Sequence, residues 1–153
     1  QRKLSRKQKG SNNRNKQRIR LAIQHEKVAN IRNDFLYKNT TMLANENQVV
    51  CVEDLNVKGM LKNHHLAKAI SDVSWSEFFR QLEYKMEERG GLVVKVPTFY
   101  PSSQTCSCCG HKNSLVKNLA VREWDCPECK AHHNRDTNAA INILNKGLEM
   151  LTT

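Results

Sequence analysis

The chain has 153 residues, of which 39% are hydrophobic, enough for one modest core with a small inserted module. It holds no apolar run of about 18 residues and no hydrophobic leader, so neither a membrane span nor a signal peptide is expected. The net charge of +10 is one-sided. Arg2, Lys3, Arg6, Lys7, Lys9, Arg14, Lys16, Arg18, Arg20, Lys27, Arg32 and Lys38 face only Glu26 and Asp34 in the first 45 residues, and the rest of the chain is neutral. Such a stripe suits a phosphate backbone, whose counterions it releases; the plainer alternative is a solvated basic tail.

Residues 1–10 are polar and basic and end in Gly10, which reads as a turn or flexible entry. From Ser11 the pattern becomes helical. Ala22, Ala29, Leu36 and Leu43 recur every seven residues beside Leu21, Val28, Phe35 and Met42. Together they predict one apolar face on a helix of about 30 residues, roughly 45 Å long. The basic first turns, with Arg14, Lys16, Arg18 and Arg20, are expected to project toward nucleic acid.

Val49-Val50-Cys51-Val52 suits a strand buried on both faces, as in a parallel sheet, and ends in Glu53-Asp54. Residues 60–73 show no clear periodicity. Ser74-Trp75-Ser76-Glu77 predicts a capping box, followed by Phe78, Phe79, Leu82 and Met86 at core spacing. Gly90-Gly91 stop that helix, and Leu92–Val96 forms a second strand ended by Pro97. Strand, helix, strand predicts a parallel βαβ unit, too small a sheet to stand alone. A final helix is expected to open at Asp136, with Gly147 near its end.

Cys106-x-x-Cys109 and Cys126-x-x-Cys129 lie sixteen residues apart. Without an export signal, paired cysteines mean metal rather than disulfides. Each knuckle presents two thiolates from one side, and four thiolates close a tetrahedron around structural Zn2+. Cys108 reads as a spectator, Cys51 as core, and His111, His132 or His133 as possible replacements for a cysteine. Arg122, Trp124, His111 and Lys112 decorate the ribbon, suggesting nucleic-acid stacking, unless Trp124 simply packs beside the metal.

Two carboxylates complete the reading. Glu53 ends a strand, where ligand sites of open α/β sheets lie, and Asp136 begins the last helix. Two or three carboxylates around Mg2+ are what phosphodiester hydrolysis requires. Asp136 reads equally well as a helix N-cap, and Asp54 is an alternative to Glu53, since neighbours on a strand face opposite sides.

Six segments carry a family resemblance: Gln1–Asn13, His25–Asn30, Val52–Met60, Pro101–Cys106, Trp124–Cys129 and His133–Ala140. In this order they resemble the TnpB (OrfB) family of insertion-sequence proteins, RNA-guided RuvC-type nucleases related to type V CRISPR effectors. The resemblance implies a partial RNase H-like (RuvC) α/β fold with a long basic N-terminal helix and an inserted zinc ribbon. Glu53 would be the second catalytic carboxylate and Asp136 the third; DNA and guide RNA would be the partners, and Mg2+ the catalytic ion. No membrane or protein partner is expected, and the location would be cytoplasmic, beside the nucleoid.

The expected organisation is a basic nucleic-acid-binding segment over 1–45, a βαβ unit over 46–103, the ribbon over 104–131 and the last helix and tail over 132–153. Two departures from the family pattern stand out. The first catalytic Asp belongs to a strand ahead of everything here, so the chain alone is expected to be inactive and marginally folded. Asn134 also replaces the first Asp of the family's His-Asp-Arg-Asp motif. The rival reading is a nuclease-inactive nucleic-acid-binding protein or a transposon remnant.

Overall fold

The computed structural model describes residues 1–65 and 67–152; Thr153, the end of the expected tail, lies outside them. The entry segment is partly ordered as helix α1 (Arg2–Ser5), followed by α2 (Asn12–Glu46), 35 residues long. Ser11 caps α2, its hydroxyl accepting from the Arg14 amide at 3.2 Å. The Arg14 guanidinium turns back and donates to the carbonyls of Leu4 and Lys7, both at 3.1 Å. That bond pair ties the end of α1 and the residue just past its cap to the first turn of α2.

The predicted apolar face of α2 is buried only toward its C-terminal end. Of the predicted positions, Leu36 is buried and Leu43 half-buried, whereas Ala22, Ala29, Val28, Phe35 and Met42 are exposed, Phe35 at 64%; Thr40 and Ala44, off the predicted stripe, are buried with Leu36. Heptad spacing alone does not bury a face; a second element must cover it, and α2 meets α5 (Trp75–Glu88) only over its last turns.

Strands β1 (Val49–Glu53) and β2 (Leu92–Val96) pair in parallel, with Cys51 opposite Val94 and Glu53 opposite Val96. Val50, Val52 and Val93 pack on a core of Ala44, Leu82 and Met86 from α2 and α5. The alternate residues face α6 (Arg135–Thr152). Contact there is close at Gly147, buried within the helix rather than near its end, where an added Cβ would lie 2.8 Å from the Cys51 Cβ. The Val49–Val52 run is half-buried rather than buried on both faces, because two strands leave each an open edge.

Short helices α3 (Val57–Met60) and α4 (Ala67–Val73) link β1 to α5. α5 begins at Trp75 as expected, but the capping box does not form. Ser74 is left-handed (φ 57°), because the chain turns directly from α4 into α5, and a capping side chain needs an extended backbone. Glu77 pairs instead with Arg80 at 2.7 Å and Gln81 at 2.9 Å. Leu82 and Met86 are core, whereas Trp75, Phe78 and Phe79 stay half-exposed, with Trp75 and Phe79 stacked at 6.0 Å.

Among the described residues a buried cation, Lys85, joins α2 to α5. Lys85 Nζ donates to the Tyr37 carbonyl and to the Thr40 and Thr41 hydroxyls, each at 2.8 Å. All three ammonium protons are satisfied, while burial pulls the pKa of Lys85 down.

Candidate active site and metal centre

The two cysteine knuckles are built alike. The Cys106 amide donates to the His111 carbonyl at 2.8 Å, and the Gly110 amide returns to the Cys106 carbonyl at 2.9 Å. In the second knuckle, Cys126 bonds Ala131 at 2.9 Å and Lys130 bonds Cys126 at 3.0 Å. Gly110 (φ 79°) and Lys130 (φ 61°) are both left-handed, the turn that lets each loop fold back under its sulfurs. Strands β3 (Glu123–Asp125) and β4 (His132–Asn134) pair antiparallel beneath, with Trp124 opposite His133.

This folding brings Cys106, Cys109, Cys126 and Cys129 into one cluster, their sulfurs within 4.8 Å of one another. Cys106–Cys129 and Cys109–Cys126 are each separated by 3.6 Å. A tetrahedron with Zn–S bonds of about 2.3 Å has edges of about 3.8 Å, so the donor set fits that ion. Burial raises the Cys106 thiol, but the amides of Cys109 and Cys108 and the nearby sulfurs outweigh it and bring it to about 7. Against the lowering effect of the His111 backbone, burial and the three neighbouring sulfurs push Cys109 up to about 12. Four thiols this close resist ionising together, and a dication removes that conflict.

No histidine replaces a cysteine in this four-sulfur set. His133 lies beside it, Nε2 to Cys106 Sγ at 3.1 Å, while His132 pairs with Asp125 at 2.8 Å and His111 with Glu128 at 3.7 Å. Cys108 is exposed; with Cys106 and His133 it forms a second close group of three ligands that shares Cys106. Trp124 is 7% exposed and packs with Cys106, Val116 and Cys126. It is therefore core of the ribbon, and its ring face is not offered to a base.

Glu53 shares the α6-facing side of the sheet with Cys51 and Val96, and Asp54 the other. Glu53 and Asp136 line one cleft of about 590 Å³ with Trp75, Phe78, Ser102 and Arg122. Asp54 lines a different cleft with Lys58, Arg80 and Lys95, and Glu53 lines that cleft as well. The N-cap of α6 is Asn134, whose Oδ1 accepts from the Asp136 and Thr137 amides at 3.1 and 3.2 Å. Asp136 is thus released from capping. Its side chain is 79% exposed and pairs with Arg122 at 3.7 Å. An Asn caps as well as an Asp, which accounts locally for the departure at position 134.

Three residues beyond the sequence-level candidates tie these parts together. Ser102 donates to Glu53 Oε1 at 2.8 Å. Asn142 donates to the carbonyls of Ser102 (2.8 Å) and Thr105 (2.6 Å). Asn138 donates to the Thr105 carbonyl (2.7 Å) and accepts from the Ser107 amide (2.9 Å). The available signal was a pair of asparagines at i and i+4 on a helix whose same stripe must be buried. The predicted basic residues lie on α1, its flanks and the first turns of α2. Arg2, Lys3, Arg6, Lys16, Arg18 and Arg20 are exposed, Lys7 and Arg14 half-buried.

Comparison with known proteins matches these regions. A family model described as "Probable transposase" (OrfB, IS605) covers residues 1–64, and one described as "Cas12f1-like, TNB domain" covers 75–143. A Streptomyces pristinaespiralis protein named "Putative RNA-guided DNA endonuclease" is 48% identical over 97% of this chain and 36% of its own length. The InsQ protein of Escherichia coli K12, carrying the same description, is 38% identical over 99% of this chain and 41% of its own. A solved Cas12f1–sgRNA–target DNA complex superposes with a TM-score of 0.64 at 26% identity, over 85% of this chain and 39% of that one. The class is therefore that of insertion-sequence proteins and their Cas12f1-like relatives. Within it, the chain belongs to the TnpB/OrfB family and spans 36% and 41% of the length of these two relatives. Among the described residues no helix is long and apolar enough to cross a membrane.

Proposed function

We propose that this chain is the metal-ribbon part of a transposon-associated, RNA-guided DNA endonuclease with a RuvC-type, RNase H-like active site. The observation that supports it most is that Glu53 and Asp136, distant in sequence, line the same cleft beside a closed four-cysteine centre. Cys106, Cys109, Cys126 and Cys129 hold Zn2+, which leaves no open position and is structural. Glu53 and Asp136 are the residues that would hold Mg2+, which would supply the charge neutralisation that phosphodiester hydrolysis needs. Arg122 pairs with the Asp136 carboxylate at 3.7 Å and balances its charge at the mouth of the cleft. Arg2, Lys3, Arg6, Lys7, Lys16, Arg18 and Arg20 contact the phosphates of guide RNA or target DNA. Arg14 serves the α1–α2 junction first. The parts follow the order basic segment (1–45), βαβ unit (46–103), ribbon (104–131) and last helix (132–153), and the protein works beside the nucleoid in the cytoplasm.

The test is target cleavage by the complete protein with its guide RNA and Mg2+. Glu53→Gln and Asp136→Ala should each abolish cleavage while leaving target binding and zinc content unchanged. Cleavage that survives Asp136→Ala refutes the assignment. Binding without cleavage by the parent protein would establish the nuclease-inactive reading instead.

A further inference from the structure

Glu53 is a long side chain at the end of a half-buried strand. A glutamate there has three rotatable bonds, and holding a metal requires one rotamer to be fixed in advance. The only hydrogen bond to its carboxylate among the described residues comes from Ser102, on the loop between β2 and the first knuckle. Ser102 is 5% exposed, and its backbone is pinned as well: its amide donates to Tyr100 at 2.8 Å and its carbonyl accepts from Asn142. Asn142 and Asn138 are buried on α6, the helix that carries Asp136, and both donate to Thr105, the residue before Cys106. A continuous set of short hydrogen bonds thus runs from the first knuckle through α6 to the Glu53 carboxylate.

We infer that Ser102 is a positioning residue for Glu53, engaging Oε1 so that the carboxylate is held in the cleft it shares with Asp136, and that Asn138 and Asn142 hold Ser102 in register with the zinc knuckle. This rests on the proposed nuclease reading of Glu53. The ribbon is then more than an appended module. Its first knuckle fixes the loop that orients one metal-binding carboxylate and grips the helix that bears the other. A hydroxyl of this kind acts through the carboxylate and touches neither substrate nor metal.

The experiment uses the complete, zinc-loaded protein with guide RNA, comparing Ser102→Ala, Ser102→Thr and Glu53→Gln over a Mg2+ titration. Outer-shell partners of this kind are worth 10–100-fold in metal affinity or activity, so Ser102→Ala should raise the half-saturating Mg2+ concentration about tenfold. High Mg2+ should recover most of the rate, and zinc content and target binding should not change. Ser102→Thr, which keeps the hydroxyl, should stay within about threefold of the parent. A Ser102→Ala titration curve within about twofold of the parent, with Glu53→Gln inactive, overturns the inference and leaves the nuclease reading intact. A loss in Ser102→Ala that excess Mg2+ does not recover, or that comes with lost zinc, also overturns it, because the serine would then be merely structural. Cleavage by Glu53→Gln removes the nuclease role of Glu53, and the inference with it.

Discussion

Substitution of Gly147 by alanine tests how closely α6 is docked on the sheet. In a solvent-exposed helix the change would stabilise by about 1 kcal/mol. Here the new Cβ would lie 2.8 Å from the Cys51 Cβ and closer still to its sulfur. The sulfur can rotate, but the Cys51 Cβ is fixed to its strand, so helix and sheet must separate. Overpacking of this kind costs typically 1–3 kcal/mol. A clash with a backbone-anchored atom belongs near the upper end, so the net loss after the propensity gain is about 2 kcal/mol. For a chain of this size that lowers the melting temperature by about 4–8 °C. Circular dichroism on the zinc-loaded chain reads the shift. Cys51→Ala should cost less in the Gly147→Ala background than in the parent, by at least about 0.5 kcal/mol of coupling. A Gly147→Ala variant more stable than the parent would show that α6 does not sit this close to β1.

Four further outcomes follow from other parts of the fold. Chelation of zinc, or Cys126→Ser, should unfold the ribbon, seen as loss of one bound Zn2+ per chain together with exposure of the Trp124 fluorophore buried against Cys126. Arg18→Ala and Arg20→Ala should each reduce the slope of log K against log salt for nucleic-acid binding by about 0.7–0.9. Arg14→Ala should instead loosen α1 from α2, read by faster amide exchange over residues 2–7, because its guanidinium is spent on the Leu4 and Lys7 carbonyls. The Glu77 carboxyl is held down to about 2, first by its hydrogen bonds from Arg80 and then by Gln81. Its contribution to stability is therefore present above pH 4.5 and lost as pH falls toward 2. An NMR titration of Glu77 should move back toward 4.5 in Arg80→Ala; an unchanged midpoint would show that the pair is absent in solution.

Local spacing determined what depends on a few consecutive residues. Two C-x-x-C turns place sulfurs in pairs whatever surrounds them, and a strand–helix–strand order whose crossover is long enough to carry the chain back across the sheet leaves parallel pairing as the outcome. Both were legible in the sequence, as was the start of α5 at Trp75. The positions where the reading failed depend on what packs from elsewhere. The α2 stripe is buried only where α5 covers it, because periodicity defines a face but not its partner. Ser74 has the sequence of a cap but the backbone of a corner, since α4 runs directly into it. Trp124 is an exposed stacking ring or a core residue on sequence alone; the second β-ribbon strand, with His133, covers it. The Asp54 alternative to Glu53 turns on which side of the sheet α6 occupies, and the capping role of Asp136 turns on the reach of Asn134. Ser102 and Asn138 lie inside the family segments Pro101–Cys106 and His133–Ala140, but nothing in their spacing names the partners that they and Asn142 bind. Their bonds span 31 to 49 residues of chain, and only the tertiary structure closes such distances, because hydrogen bonds over that separation form once hydrophobic packing of α6 on the sheet has brought the backbones together.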